Sequence, residues 1–169
     1  YRGGPAHAAI IASSLFGTMS GGAVTNVVGT GVITIPMIKR RGFDPSFAGG
    51  VEATASCGGQ IMPPIMGAAA LVMADFTGIS YLTIIVAALV AALAYYASLF
   101  VSVIFEARRL GVTAVPEVDE GMAVHAQDFI NLVMIVVPVA TVVLALSHGL
   151  SPAGSGLMAL FILVPLTFF

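Results

Sequence analysis

The stretch Phe16–Gly31 reads FGTMSGGAVTNVVGTG, and it decides how the chain folds. It holds five glycines, the hydroxyls of Thr18, Ser20, Thr25 and Thr30, and the amide of Asn26. Its surroundings are apolar: 59% of the 169 residues are hydrophobic and 8% are charged. A soluble domain carries roughly 25% charged residues, so this composition cannot cover a water-facing surface. The chain reads as an all-α integral membrane protein in contact with a lipid bilayer. A net charge of −2 argues against a nucleic-acid partner, and the single cysteine, Cys57, excludes a disulfide scaffold.

Working outward, the glycines interrupt two apolar arms, Pro5–Met19 and Val24–Ile38. Each arm rises only about 21 to 23 Å at ~1.5 Å per residue, too short for a hydrocarbon core of roughly 30 Å. Residues 1–41 therefore read as a re-entrant helical hairpin that turns at Ser20–Gly22. Residues 42–79 read as a discontinuous transmembrane helix broken near 57–64, at CGGQIMPP. Pro63 and Pro64 lack amide donors and steer the preceding residue away from helix, while Gly58 and Gly59 loosen the turn before them. Residues 80–106 contain Tyr81–Phe105, a 25-residue run without a charge. Residues 107–127 read as a cytoplasmic loop, and 128–169 as two transmembrane helices, the last truncated at Phe169.

The six basic residues test this topology. Arg2, Lys39, Arg40, Arg41, Arg108 and Arg109 fall on one face if the hairpin re-enters and the broken segment crosses once. Positive charge collects on the cytoplasmic side, which puts Gly78 and Ser151 on the opposite, periplasmic side. The chain starts at Tyr1 and stops inside an apolar run, so it reads as a piece of a longer protein.

Two interrupted helices in the membrane mean backbone that is irregular at depth, which survives only inside protein or beside water. Unwound backbone offers carbonyl oxygens to a hard cation, and half-helix N-termini attract anions. Discontinuous helices meeting near mid-membrane characterise secondary transporters. The competing reading is that Gly, Ser and Thr merely pack helices together. For Glu52, pairing with the Lys39–Arg41 cluster, exposure to a cytoplasmic vestibule and a part in transport all stay open. Asp44, before Pro45, reads as a helix N-cap. Cys57 on its own reads as a small packing residue. His7, His125 and His148 lack metal-ligand spacing. No catalytic triad or phosphate-binding loop is present, so no catalytic residues, enzymatic activity or cofactor are expected.

The ordered set SGGAVTN, IPMIKRRGFDPSFAG and ATASCGGQIMPP resembles the large membrane subunit of tripartite ATP-independent periplasmic (TRAP) transporters. It is most similar to the TAXI-type branch, in which the small and large membrane subunits are commonly fused. The resemblance is dense over Gly17–Gly111 and rests on hydropathy beyond Val112. It implies the first half of an inverted-repeat, elevator-type importer in the bacterial inner membrane, multi-pass and coupled to sodium. It also implies delivery of an organic anion of carboxylate type by a periplasmic solute-binding protein, with a small four-helix membrane subunit as partner. By position it implies a sodium and substrate site at Ser20, Gly21, Gly22 and Asn26, then Ser56, Cys57 and Gly59. Gly22, Ala23 and Cys57 stand where many relatives carry hydroxyls, which shifts the ligand role toward backbone carbonyls. The alternative function is a secondary antiporter or uniporter of similar architecture that needs no binding protein; a third is a membrane scaffold.

Overall fold

The computed structural model describes residues 3–112 and 126–166. All regular structure among them is helical, and it falls into two compact units, Tyr1–Val115 and Pro116–Phe169. The first unit contains α1 (Gly4–Ser20), α2 (Ala23–Arg40), α3 (Pro45–Gly58), α4 (Ala68–Thr77) and α5 (Tyr81–Arg109). Arg2, most of the 107–127 loop and residues 167–169 lie outside the described residues.

Helix α1 starts beside Pro5, where a missing amide costs nothing, and ends at Gly21 with φ 60°. That left-handed conformation suits glycine, and the Gly21 amide donates to the Gly17 carbonyl at 3.0 Å. Only Gly21 and Gly22 separate α1 from α2, so the two form a tight helical hairpin. The outward face of α2 is the apolar stripe Val24, Val28 and Val32, all exposed. Its inward face is Asn26, Thr30 and Thr34, spaced four apart, so one column of polar side chains faces the hairpin interior.

Asp44 caps α3 as its sequence suggests: the carboxylate accepts from the Ser46 amide at 2.8 Å and from the Ser46 hydroxyl. These bonds, the side-chain one foremost, hold its carboxyl below the usual aspartate value. Helix α3 runs one residue into the glycine pair and stops at Gly58. The chain then turns tightly, with Gln60, Ile61 and Met62 amides reaching back three residues, and the Gly67 amide donates to the Gln60 carbonyl at 2.7 Å. Helix resumes only at Ala68, so the unwound stretch is 59–67 where the sequence points to 57–64. Proline position locates the break, but the glycines before it keep helical geometry and the residues after it do not regain it at once.

Between α1, α3 and α5 lies the apolar core, where Ala6, Ala9 and Ile10 meet Ala48, Val51 and Ala55 against Leu99, Val103 and Ala107. Small residues on each helix let the backbones approach closely. Helix α5 has 29 residues and is, among the described residues, the helix long and apolar enough to cross a membrane. It continues past Phe105 to Arg109, where Arg109 pairs with Glu106 at 3.1 Å. In the second unit α6 (Ala126–Ser147) packs against α7 (Pro152–Leu166), joined through Gly149 at φ 82°.

Candidate functional site where two helix breaks meet

The hairpin turn and the break after α3 lie against each other. A Cβ added to Gly17 would sit 2.4 Å from the Gly59 Cα, and one added to Gly59 would sit 2.7 Å from the Gly17 Cα. The two main chains touch with no side chain between them. One turn further along α1, a Cβ on Gly21 would fall 2.2 Å from the Met66 carbonyl oxygen. The carbonyl of Gly21 in turn lies 3.3 Å from where a Cβ of Gly67 would stand. The C-terminal ends of α1 and α3 and the N-terminal ends of α2 and α4 thus converge. Carbonyl-rich ends favour a cation and amide-rich ends an anion.

Beside these contacts is a buried polar cluster centred on Glu52, whose side chain is fully buried. Its Oε1 accepts from Ser13 Oγ at 2.7 Å, from Ser56 Oγ at 3.2 Å and from the Thr30 hydroxyl. Its Oε2 accepts from Thr34 Oγ1 at 2.5 Å. One carboxylate therefore ties α3 to both arms of the hairpin. Its partners are hydroxyls, not the Lys39–Arg41 cluster offered by the sequence. The reason is geometric: Gly31 leaves room for the Glu52 Cγ, 3.2 Å from where a Cβ would stand, so the side chain turns into the hairpin.

Asn26 is also fully buried. Its Nδ2 donates to the Ser13 carbonyl at 2.8 Å, and its backbone carbonyl lies 2.9 Å from Thr30 Oγ1, whose single proton is shared between that carbonyl and Glu52. Asn26, Ser56 and Gly59 are thereby brought together, since Gly59 is packed on Gly17 with the Asn26 amide beside both. Gly21 lies against Met66 and Gly67, and the Oγ of the adjoining Ser20 is buried without a hydrogen-bond partner. Gly22 opens α2 in an extended conformation. Cys57 is exposed and does not join the cluster. It follows Ser56 on the same helix, and consecutive helical residues do not share a face.

On its other side the broken segment is held by α5. Tyr95 donates to the Thr54 carbonyl at 2.8 Å and Tyr96 to the Ala55 carbonyl at 2.9 Å. Tyr81 donates to the carbonyls of Pro64, at 3.3 Å, and Ile65. Gly58 lies under the first two rings, where a Cβ would come within 2.6 Å of Tyr95. Carbonyls near the end of a helix lack intrahelical donors, and these tyrosines supply some. The sequence reading names Thr30 only among the hydroxyls of the opening stretch, and it does not single out Ser13, Thr34 or the three tyrosines. The Asn26–Thr30–Thr34 and Glu52–Ser56 spacings were signals that could have found part of the set.

Residues 1–168 match the family described as tripartite ATP-independent periplasmic transporter, DctM component. Over 151 residues the chain is 26% identical to the uncharacterized protein y4mL of Sinorhizobium fredii, covering 89% of this chain and 35% of that protein. The sialic acid TRAP transporter permease protein SiaT of Haemophilus influenzae is 38% identical over 64 residues, 38% of this chain and 10% of SiaT. The C4-dicarboxylate TRAP transporter large permease protein DctM of Vibrio cholerae is 36% identical over 64 residues, 38% of this chain and 14% of that protein. The chain thus spans about a third or less of the length of these relatives. No solved structure matches it significantly. With the family match running almost end to end, the chain belongs to the DctM component family, the large membrane subunits of TRAP transporters.

Proposed function

We propose that this chain forms the first hairpin and first broken helix of a sodium-coupled importer that takes an organic anion from a periplasmic binding protein. The observation that carries the reading is the meeting of two helix breaks, with α1 and α3 ending and α2 and α4 beginning at one place. The residues there fit a sodium ion: the Ser20 Oγ is buried and unpartnered, and the Gly21 and Met66 carbonyls where the breaks meet are neutral oxygens. Ser20, Gly21 and Gly22 would supply oxygens from the hairpin side, with the break around Ser56–Gly59 opposite. Asn26 and Ser56 are engaged by the Glu52 cluster and set the geometry of those oxygens as well as offering their own lone pairs. Cys57, if it contributes, does so through its carbonyl, since its side chain points out of the cluster.

The anion faces the free amides at the starts of α2 and α4. Two relatives are named as a sialic acid and a C4-dicarboxylate permease, both carboxylates, which supports that substrate class. Membership of the family supports an inner-membrane location, a periplasmic binding protein and a small membrane subunit as partners. The short arms support a re-entrant hairpin with both ends on the cytoplasmic side, moving as part of an elevator. The test is uptake by the full-length transporter in proteoliposomes. Uptake that requires both an inward sodium gradient and the loaded binding protein is the expected result. Full-rate uptake without the binding protein would favour the antiporter or uniporter reading, and uptake driven by a pH gradient alone would defeat sodium coupling.

A further inference from the structure

Resting on that sodium reading, we propose that Glu52 is the counter-charge of the cation site, raising its affinity for sodium without touching the ion. A buried carboxylate is normally paired with a cation or a basic side chain. Among the described residues, the partners of Glu52 are hydroxyls alone. The other titratable groups on the elements packed around it are engaged or directed elsewhere. His7 of α1 stacks on Phe100, Lys39 and Arg40 of α2 are exposed, and Arg41 lies beyond the end of α2. Cys57 of α3 is exposed, Asp44 caps that helix, and Tyr95 and Tyr96 of α5 donate to backbone carbonyls.

The ion itself does not fit among these oxygens. Ser13 and Thr30 hydroxyls are 3.0 Å apart, and both contact the carboxylate directly, so an inserted cation would part every pair. The charge acts from the next layer. Ser56 gives its proton to Glu52, which leaves its lone pairs available on the side away from the carboxylate. Ser13 contacts Glu52, and Ser20 lies seven residues along α1, about 10 Å at ~1.5 Å per residue. At about 10 Å and an effective dielectric near 20, one unit charge alters cation affinity by roughly ten- to twentyfold.

The experiment uses the full-length transporter purified in detergent, with sodium chloride exchanged for choline chloride at constant ionic strength. The midpoint of sodium-dependent thermal stabilisation is read beside the sodium midpoint of uptake. Glu52→Gln keeps the shape and removes the charge, so both midpoints should rise about tenfold while the melting temperature without sodium changes little. Glu52→Asp keeps the charge and should leave the midpoints within about threefold of wild type. Unchanged midpoints in Glu52→Gln, or a tenfold rise in Glu52→Asp, would overturn the proposal. If Glu52→Gln does not fold, Glu52→Asp decides alone; if neither folds, the carboxylate serves folding and the proposal falls. A wild type whose melting and uptake both ignore sodium would instead defeat the sodium reading, whatever Glu52 does.

Discussion

Helix α3 is gripped on two sides by different means. Toward the hairpin it is held by side chain to side chain, with Glu52 and Ser56 reading hydroxyls on α1 and α2. Toward α5 it is held by side chain to backbone, with Tyr95 and Tyr96 donating to carbonyls of Thr54 and Ala55. The first grip depends on the identity of residues on both partners. The second requires only a backbone carbonyl within reach, whatever side chain that residue carries. Under the proposed sodium coupling, the hairpin side is where substitutions should disturb the ion site, and the α5 side is where they should disturb only stability.

The largest effect that would break this comparison is expected at the glycine contact. Gly59→Val places a side chain where the Gly17 main chain already stands, 2.7 Å from the new Cβ. Overpacking costs typically 1–3 kcal/mol, and backbone that cannot yield puts this change at about 3 kcal/mol or more. Uptake should be lost, and the melting temperature of the purified transporter should fall steeply.

Asn26→Ala comes next. It removes the buried hydrogen bond from Asn26 to the Ser13 carbonyl, a cost of about 1 kcal/mol, and should raise the sodium midpoint of uptake. Ser56→Ala should do likewise to a smaller degree. Because both residues join the same cluster, the double mutant should cost less than the sum. Strict additivity in a sodium titration of all four proteins would place them in separate sites.

Tyr96→Phe sharpens the comparison from the other side. Loss of its bond to the Ala55 carbonyl should cost about 1 kcal/mol, seen as a lower melting temperature with an unchanged sodium midpoint. A shifted midpoint would mean that the α5 grip also sets the ion site. The smallest effect is expected at Asp44, exposed at the start of α3. Its carboxyl is depressed, so its contribution is full above the ordinary aspartate value and fades as pH falls through the lowered one. Wild type and Asp44→Ala should therefore differ slightly in melting temperature at neutral pH and converge in strong acid.

What was legible in the sequence follows the same division. Local features could be read: an interruption at Ser20–Gly22 between two short arms, which the structure narrows to Gly21–Gly22, the Asp44–Pro45 cap, and a break marked by Pro63 and Pro64. Each is decided by residues within a few positions of one another. The partners of Glu52 could not be read, because they lie up to 39 residues away and are set by how two helices pack. A nearby basic cluster was the natural electrostatic partner in one dimension, and hydroxyls spaced at helical intervals proved to be the partners in three. The outward direction of Cys57 was available from the helical period alone, since Ser56 and Cys57 cannot face the same neighbour.

The contact of Gly17 with Gly59 carries a consequence for genetics. When two side chains meet, a larger residue on one can be accommodated by a smaller residue on the other. Here neither partner has a side chain to shrink. Damage from a bulky substitution at either glycine should thus resist every compensating replacement at the other. Suppressors of such a mutation should map to residues that let a whole helix shift, such as those under Tyr95 and Tyr96, or be true revertants.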